Sequence, residues 1–316
     1  MIYKLTELKT KVPIQSIDNV DYEKKEIKLF VQREDLNHPV IQGNKLRKLH
    51  YNILNAKQKG NNTILTFGGA YSNHILAVAQ AGNEFGFKTI GIIRGEKNLP
   101  LNSTLSRCKQ LGMQIQYMNR TVYKIKHTQD VVDSMRNTYG AFYLIPEGGS
   151  NYYAVNGCME IIENFNEYDY ICCPVGTGGT IAGITIANQN KCNIIGFPAL
   201  KGGEFLTKDI SDLINLVVND RDLTQDLMKS VNLITEYHFG GYAKINEELI
   251  NFVREFNENH HIKWDLIYNG KMAFAINRMI QEDYFPIGSR ILMIHTGGLQ
   301  GINGLEERHK IKIYDS

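Results

Sequence analysis

Ile171-Cys172-Cys173-Pro174-Val175-Gly176-Thr177-Gly178-Gly179-Thr180 ends an apolar run in glycines and then opens a helical pattern of small residues. Ile64-Leu65-Thr66-Phe67-Gly68-Gly69-Ala70-Tyr71-Ser72-Asn73-His74 follows the same plan earlier in the chain. A strand that passes through glycines into a helix leaves backbone N–H groups free at the helix N-terminus, where they bind anions, phosphate above all. In open α/β sheets ligands sit beyond the carboxyl ends of the strands, where both turns fall.

Outward from these two turns, strand and helix signals alternate. Runs at 27–31, 63–67, 89–93, 141–145, 170–175, 193–197 and 291–295 read as strands. Helical patterns fall at about 45–59, 73–85, 102–111, 129–138, 152–164, 180–189, 242–259 and 271–282. This alternation predicts an α/β fold of parallel sheets covered by helices. Pro146-Glu147-Gly148-Gly149-Ser150 is the candidate crossing between two lobes.

The bulk composition narrows the function class. The 316 residues suffice for one large domain or two lobes sharing a cleft, and 43% hydrophobic with 22% charged residues is ordinary for a globular protein. A net charge of +2 makes no electrostatic case for nucleic acid or a membrane surface. Cys108, Cys158, Cys172, Cys173 and Cys192 are odd in number and lack CxxC spacing, which predicts a reducing compartment and no metal site. The N-terminal MIYKLTELKTKVP has no apolar signal core, and no run reaches the length of a membrane span, so a cytoplasmic location is expected.

Several chemistries are excluded or weak. The turn at Gly176 is not a dinucleotide fingerprint, because GxGxxG needs glycine where Ile181 stands and no acid follows near 196–200. There is no GK[ST] and no GxSxG. What remains is a cradle of N–H groups with the hydroxyls of Thr177 and Thr180, sized for one phosphate monoester, or else an ordinary glycine-rich cap. His295-Thr296-Gly297-Gly298 ends the last apolar strand and either holds a ligand or turns the chain. Tyr242 and Tyr268 each stand where a loop is expected to become a helix, as packing residues or as catalytic ones.

Ile41-Gln42-Gly43-Asn44-Lys45-Leu46-Arg47-Lys48-Leu49 supplies the reactive group. Gly43 allows a tight turn and Asn44 is a good N-cap, so a helix is expected from Lys45. A lysine in the first turn faces the unfavourable end of the macrodipole; it is either a surface residue behind a cap or an amine poised as a nucleophile for carbonyls. A lysine, a phosphate cradle and a third strand end together fit pyridoxal 5′-phosphate. Bringing the amine near neutrality takes roughly three pKa units, or about 4 kcal/mol. The dipole supplies about 0.3–1 kcal/mol, at most about 2, so Arg47, Lys48 and desolvation are expected to supply the rest.

Here a family resemblance becomes specific. Gln42-Gly43-Asn44-Lys45-Leu46-Arg47-Lys48-Leu49 resembles the GGNK-x-RKL signature of the 1-aminocyclopropane-1-carboxylate (ACC) deaminase and D-cysteine desulfhydrase family. These are fold type II pyridoxal-phosphate enzymes, the tryptophan synthase β-like group. Gly68-Gly69-Ala70-Tyr71-Ser72-Asn73-His74 resembles their GGxQSNH segment, with Tyr71 in place of Gln, and the 146–150, 175–180, 268–271 and 295–298 segments match in order. The resemblance implies a large lobe (1–48 and 146–316), a small lobe (49–145) inserted in it, the cofactor between them, a small amino-acid substrate and a homodimer. By position it implies that Lys45 bonds the cofactor's aldehyde. Lys48 and the backbone of Gly176, Thr177, Gly178, Gly179 and Thr180 would hold the phosphate. Asn73 would meet the ring oxygen and Thr296 the ring nitrogen. Ser72 would contact the substrate carboxylate or move a proton, with Tyr268 and Tyr242 facing the substrate.

The deaminase branch resembles Tyr-Glu-Gly-Lys followed by His-Leu-Gly-Gly, whereas this chain has Asn269 and Thr296. A carboxylate near the ring nitrogen would keep it protonated and favour a carbanion. Neutral Asn and Thr suit α-proton removal with prompt loss of a β-leaving group, as in D-cysteine giving pyruvate, sulfide and ammonia. The alternatives are ACC deamination to 2-oxobutanoate and ammonia, or a non-catalytic phosphate-ligand-binding protein.

Overall fold

Two separate sheets carry the chain, both with their carboxyl ends turned into glycine-rich loops. The computed structural model describes residues 11–97 and 100–314, so most of the N-terminal segment read above for a signal core lies outside the described residues. In chain order the strands are β1 (Ile14–Ile17), β2 (Lys28–Gln32), β3 (Thr63–Gly68), β4 (Lys88–Arg94), β5 (Gln114–Met118), β6 (Tyr143–Ile145), β7 (Tyr170–Val175), β8 (Asn193–Pro198), β9 (Val231–Leu233) and β10 (Arg290–Ile294). The helices are α1 (Val20–Lys24), α2 (Asn44–Gln58), α3 (Asn73–Phe85), α4 (Ser103–Gln110), α5 (Arg120–Lys124), α6 (Gln129–Tyr139), α7 (Tyr152–Cys158), α8 (Gly179–Asn188), α9 (Leu206–Val218), α10 (Arg221–Met228), α11 (Glu247–His260), α12 (Asn269–Gln281) and α13 (Gly301–His309).

The six-stranded sheet has the order β1-β2-β10-β7-β8-β9 and the four-stranded sheet β5-β4-β3-β6. Every pairing is parallel except β1 on β2, a departure from the all-parallel expectation at one edge. Both faces of each sheet are covered. Along β10, Ile291 and Met293 enter the core under α11 and α12, while Leu292 and Ile294 enter the core under α7, α8 and α9. Cys172 and Cys173 divide between the same two cores, acting as small hydrophobes on opposite faces.

Two helices depart from their expected bounds by more than two residues, and the cap of a third is shifted by one, each for a local reason. The pattern at 152–164 forms a helix only through Cys158, because Glu160 and Ile161 N–H groups turn back to the carbonyls of Gly157 and Cys158 and Gln32 takes the Ile161 carbonyl. The helix expected from 242 begins at Glu247, where Asn246 caps it by accepting from Leu249 N at 3.0 Å. Asn44 is not the cap of α2. Gly43 is, with φ 67° and ψ −142°, and Asn44 is the first helical residue.

The start of α2 is pinned from both sides. Glu34, 0% exposed just after β2, accepts from Arg47 Nε and Nη2, both at 2.9 Å, and from Asn37 Nδ2 at 2.9 Å. Gly43 donates its N–H to the Glu34 carbonyl at 3.0 Å and packs so closely on β10's end that a Cβ there would lie 1.9 Å from the Thr296 carbonyl oxygen. That backbone region is essentially closed to residues with a side chain. Gly43→Ala is therefore expected to lower stability by about 3 kcal/mol or more, from strain and overpacking together. Gly86→Ala, at φ 78° with nothing within 4 Å, should lose only about 1–2 kcal/mol. Denaturant midpoints compare the two, and equal losses would contradict the close-approach account.

Candidate active site

Lys45 lies in the first turn of α2, a turn without an acid. Its Nζ donates to Asn44 Oδ1 at 3.2 Å. Burial, and then the charge of Lys48, push its amine down to about 7, while the Asp265 carboxylate works weakly the other way. Arg47, expected to help, is instead turned away onto Glu34. Lys48 is the cation that acts, and burial lowers its own pKa too.

Asn44 serves position rather than capping. Its Nδ2 donates to Thr180 Oγ1 at 2.8 Å, and its N–H reaches the Thr296 carbonyl at 3.3 Å. One residue thus ties α2 to the start of α8 and to the end of β10. The Thr180 hydroxyl, expected in the anion cradle, accepts from Asn44, which fixes its oxygen without using its hydrogen.

The cradle draws on three loops. At α8 the cap is Gly178 in a left-handed conformation (φ 79°), with no side chain bonded to the first-turn N–H groups. Lys48 Nζ donates to the Gly148 carbonyl and to Ser150 Oγ, both at 3.2 Å, and Ser150 Oγ lies 2.6 Å from Thr177 Oγ1. A Cβ on Gly179 would meet Ser150 Oγ at 2.7 Å and Lys48 Nζ at 3.1 Å. An amine, two hydroxyls and helix-start N–H groups therefore converge on one point, the donor set of a phosphate site. Sequence reasoning missed Ser150 as a member, although Glu147-Gly148-Gly149-Ser150 follows a strand in the same way as the other two turns.

At the head of α3, Ser72 Oγ accepts from Ile75 N at 3.3 Å, which keeps its hydroxyl hydrogen free to donate. Asn73 Oδ1 and His74 Nδ1 are buried acceptors with no partner among the described residues, unusual for buried polar atoms. His74 Nε2 lies 2.8 Å from Thr66 Oγ1, and that hydroxyl donates to the Ile145 carbonyl at 2.8 Å. The histidine must therefore donate through Nε2, leaving Nδ1 as the bare acceptor. Burial and the charges of Lys45 and Lys48 hold this imidazole neutral, well below its ordinary range. Tyr71 sends its ring away onto α13, where a Cβ on Gly304 would lie 2.4 Å from its Cδ1.

The opposite wall comes from the six-stranded sheet. Tyr268 precedes α12 and lies over Gly176, where a Cβ would meet its Cε1 at 3.2 Å. Tyr242 does not start a helix; it stands 42% exposed in the loop before α11, between Gly241 and Ala243, both with positive φ. The two rings meet edge to face at 6.0 Å. Desolvation of the hydroxyl groups raises both phenols, Tyr268 well above the usual range, so both stay protonated near neutral pH. Lys271 anchors the Tyr242 loop by donating to the carbonyls of His238 and Gly241, each at 2.8 Å.

Behind these residues Asp265, 1% exposed, accepts from the N–H groups of Ile267, Tyr268 and Asn269 at 2.9, 2.8 and 3.0 Å. It was missed in the sequence, where its only signal is an acid placed just ahead of a helix start. Asn269 Oδ1 accepts from Thr296 N at 2.8 Å and from Thr296 Oγ1 at 3.1 Å. His295 stacks on Trp264 at 4.6 Å and accepts from Gly297 N at 3.2 Å, setting the turn after β10. Among the described residues no group of three or more His, Cys, Asp or Glu is placed to hold a metal, and no helix is long and apolar enough to cross a membrane.

Comparison with known proteins agrees with this geometry. Residues 5–297 match the family model described as pyridoxal-phosphate dependent enzyme. An Arabidopsis thaliana protein named as a bifunctional D-cysteine desulfhydrase/ACC deaminase is 27% identical over 87% of this chain and 73% of its own. A Rhizobium rhizogenes protein named as an ACC deaminase is 27% identical over 88% of this chain and 89% of its own. The crystal structure of an ACC deaminase homologue has a TM-score of 0.79 at 24% identity, covering 95% of this chain and 93% of that one, a likeness of fold. The chain belongs to the pyridoxal-phosphate dependent enzymes of fold type II and groups there with the ACC deaminases and D-cysteine desulfhydrases.

Proposed function

We propose that this enzyme is a lyase that eliminates the β-substituent of D-cysteine or a related D-amino acid, converting D-cysteine and water to pyruvate, sulfide and ammonia. The residues suit the cofactor. Lys45 is the half-neutral amine for the aldehyde. Lys48, Ser150, Thr177 and the N–H groups of Gly178, Gly179 and Thr180 form a donor set for the phosphate, beside Gly176. The unpartnered acceptors Asn73 Oδ1 and His74 Nδ1 are of the kind a bound polar ligand satisfies. Thr296 would face the ring nitrogen.

Pyridoxal 5′-phosphate, when bound, supplies an electron sink for negative charge at the amino acid's α-carbon. The protein's part is to bind and to move protons. Lys45 Nζ, near 7, can both accept the α-proton and return one. Ser72 Oγ has a hydrogen to donate to the substrate carboxylate. Tyr268 and Tyr242, kept as phenols, serve as donors toward a leaving group rather than as bases. Family resemblance also supports a homodimer.

The observation that carries the choice of substrate class is the buried Asn269–Thr296 pair; with Thr296 facing the ring nitrogen, it would offer a neutral hydroxyl where the deaminase pattern has a carboxylate. A direct carboxylate stabilises a long-lived carbanion; a neutral contact suits prompt departure of a β-leaving group. ACC deamination is the second reading, favoured by the name of the Rhizobium relative.

Two measurements follow. Only the neutral amine reacts with an aldehyde, so the rate of cofactor uptake by apo-protein should rise with pH through a midpoint at about 7. About a tenth of the limiting rate is expected one unit below that midpoint. A midpoint near the ordinary lysine value would contradict the buried amine. Purified enzyme given D-amino acids and ACC should release pyruvate and sulfide from D-cysteine. Release of 2-oxobutanoate from ACC with no sulfide from D-cysteine would replace the first reading with the second.

A further inference from the structure

Asn269 is fully buried, and every hydrogen-bonding position of its side chain is assigned. Its Nδ2 donates to Asp265 Oδ2 at 2.5 Å and to the Gly297 carbonyl at 2.7 Å. Its Oδ1 accepts from the N–H and the hydroxyl of Thr296. The amide cannot be reversed, because the Thr296 N–H can only donate and so requires the oxygen. An amide oxygen cannot donate either, so the hydrogen in the 3.1 Å contact belongs to Thr296. With that hydrogen committed, Thr296 Oγ1 offers only lone pairs to a group in the cleft. Carboxylate, amide and hydroxyl thus form one buried run in which each link donates toward Asp265. The amines whose charge Asp265 feels direct hydrogens elsewhere: Lys45 to Asn44, and Lys271 to the carbonyls of His238 and Gly241.

We propose that Asp265 is a positioning residue that acts on the cofactor's ring nitrogen through Asn269 and Thr296, making Thr296 Oγ1 an acceptor that favours the nitrogen carrying its proton. This rests on Thr296 facing that nitrogen, as proposed above. Hydrogen bonds in series polarise one another in a low-dielectric interior, so the carboxylate reinforces the acceptor character of the hydroxyl. The ring proton is then held without a charge in direct contact, a weaker bias than the carboxylate of the deaminase pattern provides. Asp265 also fixes Tyr268 through the backbone N–H, so one buried acid sets both the ring nitrogen's partner and a substrate-facing phenol.

The test is the nuclear magnetic resonance of enzyme loaded with cofactor carrying nitrogen-15 in the ring. Wild-type protein should give the resonance at its protonated position; a resonance at the unprotonated position overturns the proposal without any variant. Asp265→Asn should move the signal toward the unprotonated value. The double variant Asp265→Asn/Asn269→Asp, which transposes the carboxylate one link nearer Thr296, should move it back. A merely structural role for Asp265 would not produce that return. If Asp265→Asn does not fold, the wild-type resonance and the transposed variant decide. If Thr296→Val leaves the signal unmoved, Thr296 does not face the nitrogen and both readings fall. If Thr296→Val moves it but Asp265→Asn does not, only the role of Asp265 falls.

Discussion

The close approach of the Gly43 backbone to the Thr296 carbonyl is the contact on which the site depends. It is possible only without a side chain, and it seats the first turn of α2 on the end of β10. From there Asn44 reaches Thr180 at the head of α8, and Lys48, one turn further on, reaches Gly148 and Ser150 beyond β6. Three strand ends from two sheets are thereby brought to one helix terminus. The small sheet adds a fourth through Ser72, Asn73 and His74, whose N-cap geometry continues directly from β3.

The same seating explains the charge state of the site. Lys48 is buried and Lys45 half-buried beside it with no acid in the helix's first turn, so the charge of Lys48 makes Lys45 harder to protonate. Desolvation is the larger cause and Lys48 the second; of the groups that act the other way, Cys158 and Asp265, the carboxylate is engaged with four N–H donors. His74 is neutral for the same reasons. Burying amines in this way opposes folding, and the Glu34–Arg47 pair and the close-packed glycines hold the arrangement in place. Function here draws on an electrostatic arrangement that stability alone would not favour.

Local signals in the sequence carried much of this. Periodicity and glycine-ended strands were enough for an α/β fold with parallel sheets, and Lys45, Lys48, Ser72, Asn73, the 176–180 turn, Tyr268 and Thr296 all stand on strand ends or helix starts that a linear reading can find. The failures were of three kinds. Arg47 was given a role by proximity in sequence, but a long-range partner, Glu34, had already claimed it. Ser150 went unnoticed because its meaning lies in Lys48 and Thr177, distant in sequence, and Asp265 because a lone acid in a loop has no periodic signature even though its partners at 267–269 are local. Tyr242 was misplaced because the chain's helical pattern begins before positive-φ residues Gly240, Gly241 and Ala243 allow a helix to form.

The central claim, that Lys45 is the amine bonded to the cofactor, is tested most directly by trapping. Yellow purified protein is reduced with borohydride, digested, and the modified lysine located by mass spectrometry. The account predicts loss of the visible band with the cofactor mass on Lys45, and a colourless protein for Lys45→Ala. Modification at Lys48 or another lysine, or a visible band that survives Lys45→Ala, would contradict it.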